Sequence, residues 1–195
     1  KFARGIAIWS GLTFLLVVAT TTFADDAMLG QARRLLLTGR YDEAAEIYGK
    51  ITDELAIERA IGVARCRSAR GRLDDAVELL STAAKENPRA APLPAELAML
   101  AFERGDRDEA DKQSTAALEL NPTQPAARWI RAELLRTSGD MKGADRAYKW
   151  FVDRYNDTDA IDDPETLHYI GLAAAQYARW NRLSDQFNFL VNDLY

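Results

Sequence analysis

The sequence predicts an all-α fold: an α-solenoid of about five antiparallel helix-turn-helix repeats behind an apolar leader. Three observations lead there. A glycine-centred turn recurs at Gly39, Gly71, Gly105 and Gly139, spaced by 32, 34 and 34 residues. Two columns of alanine keep step with it. Hydrophobic residues make up 48% of the chain, while its 11 glycines and 6 prolines are sparse and largely confined to regular places, the balance of a folded, helix-rich protein.

The leader comes first in the chain. Lys1 and Arg4 precede an uncharged run from Gly5 to Phe23, which closes on Thr22-Phe23-Ala24 before Asp25-Asp26. A basic start, an apolar stretch and a small residue before the cut describe a secretory signal, with cleavage expected after Ala24. An uncleaved membrane anchor is the competing reading, because the run approaches the ~20 residues of a spanning helix. No cysteine lies near the expected cut to carry a lipid. Residues 1–24 are therefore set apart from the fold. The expected location is exported, periplasmic or extracellular, or held at an inner membrane by residues 1–24. The chain starts on Lys1 rather than Met, and we expect sequence before it and a continuation of the array beyond Tyr195.

The repeats follow, at about 25–56, 57–90, 91–124, 125–158 and 164–195. Each glycine sits where one helix must end and an antiparallel one begin, a place for a left-handed residue. Acidic residues come next, at Asp42-Glu43, Asp74-Asp75 and Asp108-Glu109, where they meet the positive end of a helix dipole. Seven residues before each glycine stands Ala32, Ala64, Ala98 or Ala132, and five after it Ala44, Ala76, Ala110 or Ala144. Small residues on both helices mark the crossing point within a hairpin. Asn87-Pro88 and Asn121-Pro122 stop the second helix and turn the chain into the next repeat. The fifth unit begins after an insertion, Asn156 to Asp163, with Asp163-Pro164-Glu165 as its helix start. Its first helix should run to about Arg179 with Ala174 at the small position, its turn carries Asn181 in place of glycine, and Gln186 stands where alanine is expected.

Alanine at the eighth and twentieth positions, glycine near the fifteenth and proline at the thirty-second resemble the tetratricopeptide repeat, over nearly the whole chain after the leader. The resemblance implies a right-handed superhelix whose first helices line a concave groove for a segment of a partner protein. Carried over by position, the groove residues are Leu29, Arg33 and Leu36 in the first repeat and Ile61 and Arg65 in the second. The third and fourth add Met99, Phe102, Trp129 and Arg136, and the fifth His168 and Arg179. Aromatic, Met and Arg side chains are the types that form interface hot spots. Trp129 and Phe102 have a second reading, as packing between neighbouring repeats. The carboxylate clamp of some chaperone-binding members needs Lys and Asn at fixed positions, where this chain has Leu29, Arg33 and Gly62. Chaperone-tail binding is therefore not expected.

Charge and chemistry narrow the function further. Without Lys1 and Arg4 the formal charge moves from −5 to −7, which disfavours nucleic acid as a partner. Cys66 is alone and is expected to be a small buried helix residue. The sequence has no Gly-rich phosphate loop, nucleophile elbow or paired-Cys metal spacing, and His168 is its one histidine. No catalytic, cofactor or metal residues are expected. The sequence thus predicts a non-catalytic scaffold that binds a protein or peptide, with membrane contact only through an uncleaved leader. Two alternatives stand beside it. The repeats could recruit substrate for a longer envelope enzyme, such as a peptidase or hydrolase. They could also self-associate through the C-terminal repeat, where Phe187, Phe189, Leu190 and Leu194 lie.

Overall fold

The computed structural model describes residues 24–157, 163–176 and 179. Expectations for the leader, for residues 158–162 and for the second helix of the fifth repeat, including Asn181, Gln186 and Phe187 to Leu194, lie outside the described residues. The chain divides into two compact units, Lys1–Asn87 and Pro88–Tyr195.

In the first unit the described helices are α1 (24–37), α2 (Tyr41–Tyr48), α3 (Ala56–Ala69) and α4 (Leu73–Glu86), with one 3₁₀ turn at Asp53–Leu55. The second unit holds α5 (Pro92–Glu103), α6 (Arg107–Leu120), α7 (Pro125–Ser138), α8 (Met141–Asn156) and α9 (164–176). No strand occurs among the described residues. The architecture is the expected all-α stack of helical hairpins, in each unit.

The hairpin turns are built alike. Gly39, Gly71, Gly105 and Gly139 have φ of 79°, 76°, 81° and 90°, the left-handed region that an L side chain enters only with strain. Each donates its N–H to a carbonyl three residues back, and the following residue donates to one five back: Gly39 to Leu36 and Arg40 to Leu35 at 3.1 and 2.9 Å, for example. This paired closure satisfies the last carbonyls of the first helix and reverses the chain.

Both alanine columns are buried. Ala32, Ala44, Ala76, Ala98, Ala110 and Ala132 expose 0% of their surface, Ala64 and Ala144 1%. In three hairpins the two alanines share one core cluster, Ala32 with Ala44, Ala98 with Ala110 and Ala132 with Ala144. Helix ends follow the sequence too. Asn87 and Asn121 cap α4 and α6 in non-helical backbone ahead of their prolines, as the proline ring requires of the residue before it. The spacing of 32 between the first two glycines has its cause in α2, which stops after eight residues as Ile51 turns back into the core, 1% exposed.

The fifth repeat departs from expectation by one residue. Ala173 is fully buried and Ala174 is exposed, so the register counted from Asn181 is corrected to the Tyr169, Ile170, Ala173 stripe that faces Ala144, Tyr148 and Phe151. Asp163 begins α9 as expected, accepting the N–H groups of Glu165 and Thr166 at 3.2 and 2.9 Å.

Candidate functional site

The predicted face can be read as three columns on the first helices α1, α3, α5 and α7, placed by their offset from the buried alanine. Three residues before it stand Leu29, Ile61, Ala95 and Trp129; one after it, Arg33, Arg65, Met99 and Glu133; four after it, Leu36, Ser68, Phe102 and Arg136. The side chains at these matched positions have different surroundings in the two units.

In the first unit the columns are mixed: Arg33 is exposed, Ile61, Arg65 and Ser68 are half-buried, Leu36 packs on the core cluster of Ala32, Ala44, Tyr48, Ile51 and Cys66, and Leu29 belongs to that cluster. In the second unit the same columns are filled from within. Met99 and Phe102 pack on Ala98, Ala101, Ala110 and Ile130. Trp129 is half-buried between two tyrosine rings, with centroids 5.5 Å from Tyr148 and 6.1 Å from Tyr169. That geometry gives Trp129 a packing role between neighbouring hairpins.

Glu133 is the residue that sequence reading missed. It is 6% exposed, and a buried carboxylate needs partners. Arg136, one turn on, supplies two of its nitrogens, Nη2 at 2.6 Å and Nε at 3.2 Å from Oε2, and the Tyr148 hydroxyl donates to Oε1. The hydrogen bond to Glu133 holds the Arg136 guanidinium above its ordinary pKa. Burial, and then Glu133, push the Tyr148 phenol well above the ordinary tyrosine range. Arg136 therefore neutralises an internal carboxylate. Its removal, with or without that of Trp129, should cost stability. The sequence signal was available: an acidic residue occupies the column that Arg33, Arg65 and Met99 share.

Beside this network, Arg128 lies 4.0 Å from the Trp150 ring centroid and donates to the Pro122 carbonyl at 2.7 Å, while burial lowers its pKa. His168 and Arg179 are exposed, and His168 meets the Tyr169 ring edge-on at 5.4 Å. Cys66 is buried at 2% and free, and burial followed by the charge of Asp42 raises its thiol pKa, so the nucleophilic thiolate is disfavoured. Among the described residues no group of three His, Cys, Asp or Glu side chains is gathered as for a metal ion. None of their helices is long and apolar enough to cross a membrane.

Hairpins closed by left-handed glycines and crossed at paired alanines define the fold of tetratricopeptide-repeat proteins, and solved structures agree. The chain is similar to the tetratricopeptide-repeat protein TTC0263 of Thermus thermophilus, at 22% identity and a TM-score of 0.58, covering 77% of this chain and 81% of that one. It is also similar to a chain of the APC/C hetero-tetramer Cut9–Hcn1, at 18% identity and a TM-score of 0.62, over 84% of this chain but 32% of that one. A Podosopora anserina kinesin-light-chain structure with nearly identical TPR-like repeats matches at 19% identity and a TM-score of 0.51, over 83% of this chain and 91% of that one. No protein-family model matches the sequence, and no curated protein matches it significantly.

Proposed function

We propose that this chain is an exported, non-catalytic scaffold that holds a segment of a partner protein on the first helices of its hairpins, in the cell envelope. The observation that carries the reading is the pair of arginines that the first unit sets at one matched position of its first helices. Arg33 and Arg65 stand at matched positions on α1 and α3, each one residue after a buried alanine, beside half-buried Leu36 and Ile61. Arginine beside aliphatic surface suits a segment that mixes apolar anchors with acidic groups. The repeat fold supports the reading, since one of the similar chains is itself part of a hetero-tetramer. The leader sequence supports the location.

Met99, Phe102, Trp129 and Arg136 enter this proposal in a lesser role. Their inner faces are committed to the second unit's core, and only the remaining surface could meet a partner. Arg179, exposed, stays with the proposed face at the level of sequence.

Crosslinked capture from an envelope fraction tests the proposal, with the intact chain and an Arg33→Ala, Arg65→Ala variant as baits, both checked for helicity and melting. A partner held by the intact chain and lost with the folded variant supports the arginine face. Equal capture by both would overturn it.

A further inference from the structure

The first unit carries a second surface, whose lining includes neither Arg33 nor Arg65. Between α2, α3 and the turn into α4 lies a cleft of about 220 Å³. Its floor is apolar, made by Tyr41, Ala45, Val63 and Cys66. Its rim is basic: Arg67, Arg70 and Arg72. That volume is several times the ~30 Å³ share of one water, which is room for a side chain.

The rim is also poised for an acid. Arg70 pairs with Asp42 and Arg72 with Asp75, in bridges whose arginines are 47% and 55% exposed and whose acids are 72% and 43% exposed. Such solvated pairs are worth little, so an incoming carboxylate can replace or share them at small cost. Arg67 gives one Nη1 bond, 2.9 Å long, to the Asp75 carbonyl, out of the five donors a guanidinium carries. Arg67, Arg70 and Arg72 thus bring three fork-shaped donors to one small cleft. Burial, and then the charge of Asp42, push the Cys66 thiol on the floor above its ordinary pKa.

We infer that this cleft docks an acidic peptide segment of a partner protein, with an aliphatic side chain on the Tyr41, Ala45, Val63 and Cys66 floor and flanking carboxylates on Arg67, Arg70 and Arg72. The arginine forks select carboxylate geometry, and the apolar floor selects against a bare anion.

An array of immobilised random peptides, probed with the full chain, tests this. The variant is Arg70→Gln with Arg72→Gln, and Arg154→Gln on the exposed end of α8 is the control. Selected peptides should carry an aliphatic residue beside Asp or Glu, bind more weakly as salt rises, and lose roughly tenfold in affinity to the double variant but not to the control. Because a glutamine pair could disturb the turn, Ala45→Glu provides a second block, filling the floor with negative charge while Arg70 and Arg72 remain. It should abolish binding of the same peptides. Selection of basic or neutral peptides would overturn the inference. So would unchanged affinity in the folded double variant, or displacement by inorganic phosphate as readily as by a free acidic peptide, which would mark a simple anion site.

Discussion

The two units use one repeat in two ways. In residues Lys1–Asn87 the position after the small alanine holds Arg33 and Arg65, and Arg33 faces solvent. In residues Pro88–Tyr195 it holds Met99 and Glu133, and Glu133 is closed over by Arg136 and Tyr148. A second inversion follows. Tyr48, nine residues after Gly39, and Gly62, nine before Gly71, belong to the first unit, Ser114, nine after Gly105, and Ile130, nine before Gly139, to the second, and all four are buried. A large residue is matched with a small one in both cases, but on opposite helices. The backbone scheme thus tolerates exchange of volume and charge between hairpins, and what remains at the surface is free to differ.

Breaking the inner network should have the largest effect. Arg136→Ala leaves the Glu133 carboxylate buried against the Tyr148 hydroxyl without its cation, and should cost about 2–3 kcal/mol in urea unfolding, discounted because the Arg136 side chain is 34% exposed. Adding Glu133→Gln should recover part of that loss, which a double-mutant cycle measures. Arg33→Ala, at a solvated position, should stay within about 0.5 kcal/mol.

Size exchange gives the next test. A Cβ on Gly62 would sit 2.2 Å from the Tyr48 ring. Gly62→Ala should therefore destabilise by about 1–2 kcal/mol, the overpacking outweighing the ~1 kcal/mol that alanine gains in a helix. Installing the second unit's pair, Gly62→Ile with Tyr48→Ser, should melt higher than Gly62→Ile alone.

Alkali probes the inner network of the second unit. The Tyr148 phenol is raised above its unfolded value near 10, so the folded state keeps a proton that the unfolded chain releases. Its contribution is complete below pH 10 and is lost as pH climbs toward the folded value, with a slope of up to about 1.4 kcal/mol per pH unit. Urea midpoints measured from pH 8 to 11 should show that decline, and Tyr148→Phe should flatten it.

The smallest contrast lies at the helix starts. After the hinge glycine the second unit has Asp106 and Asp140, whose carboxylates accept N–H groups of Glu109 and Gly143 at 3.1 and 2.9 Å. The first unit has Arg40 and Arg72, which reach forward to Glu43 and Asp75 instead. Asp106→Ala should cost about 1 kcal/mol as a lost cap, and Arg72→Ala no more than about 0.5 kcal/mol as a lost surface pair.

Backbone features were the legible part of this sequence. A left-handed turn admits glycine cheaply and a close crossing admits alanine, so Gly39 and Ala32 announce themselves and repeat. Pairwise compensation was not legible, because nothing in the spacing says that Gly62 makes room for Tyr48, fourteen residues earlier. The same holds for Asp25, expected at the edge of the fold but 1% exposed and bonded to the Thr52 N–H at 3.4 Å. For the candidate face, position was legible and commitment was not. Trp129 and Arg136 have the residue types of a binding hot spot, and their inner partners, Tyr148 and Glu133, emerge only when the helices are packed.

Site-specific photo-crosslinking compares the two faces most directly. A photoreactive residue is placed in turn at Arg33, Arg65, Phe102 and Arg136, the chain is irradiated in the native envelope fraction, and adducts are compared between folded variants. A common partner adduct is expected from positions 33 and 65, and little from 102 and 136, whose surroundings are filled by the chain itself. An adduct confined to 102 and 136 would contradict the open-face reading, and would place the binding surface on the unit whose columns are filled from within.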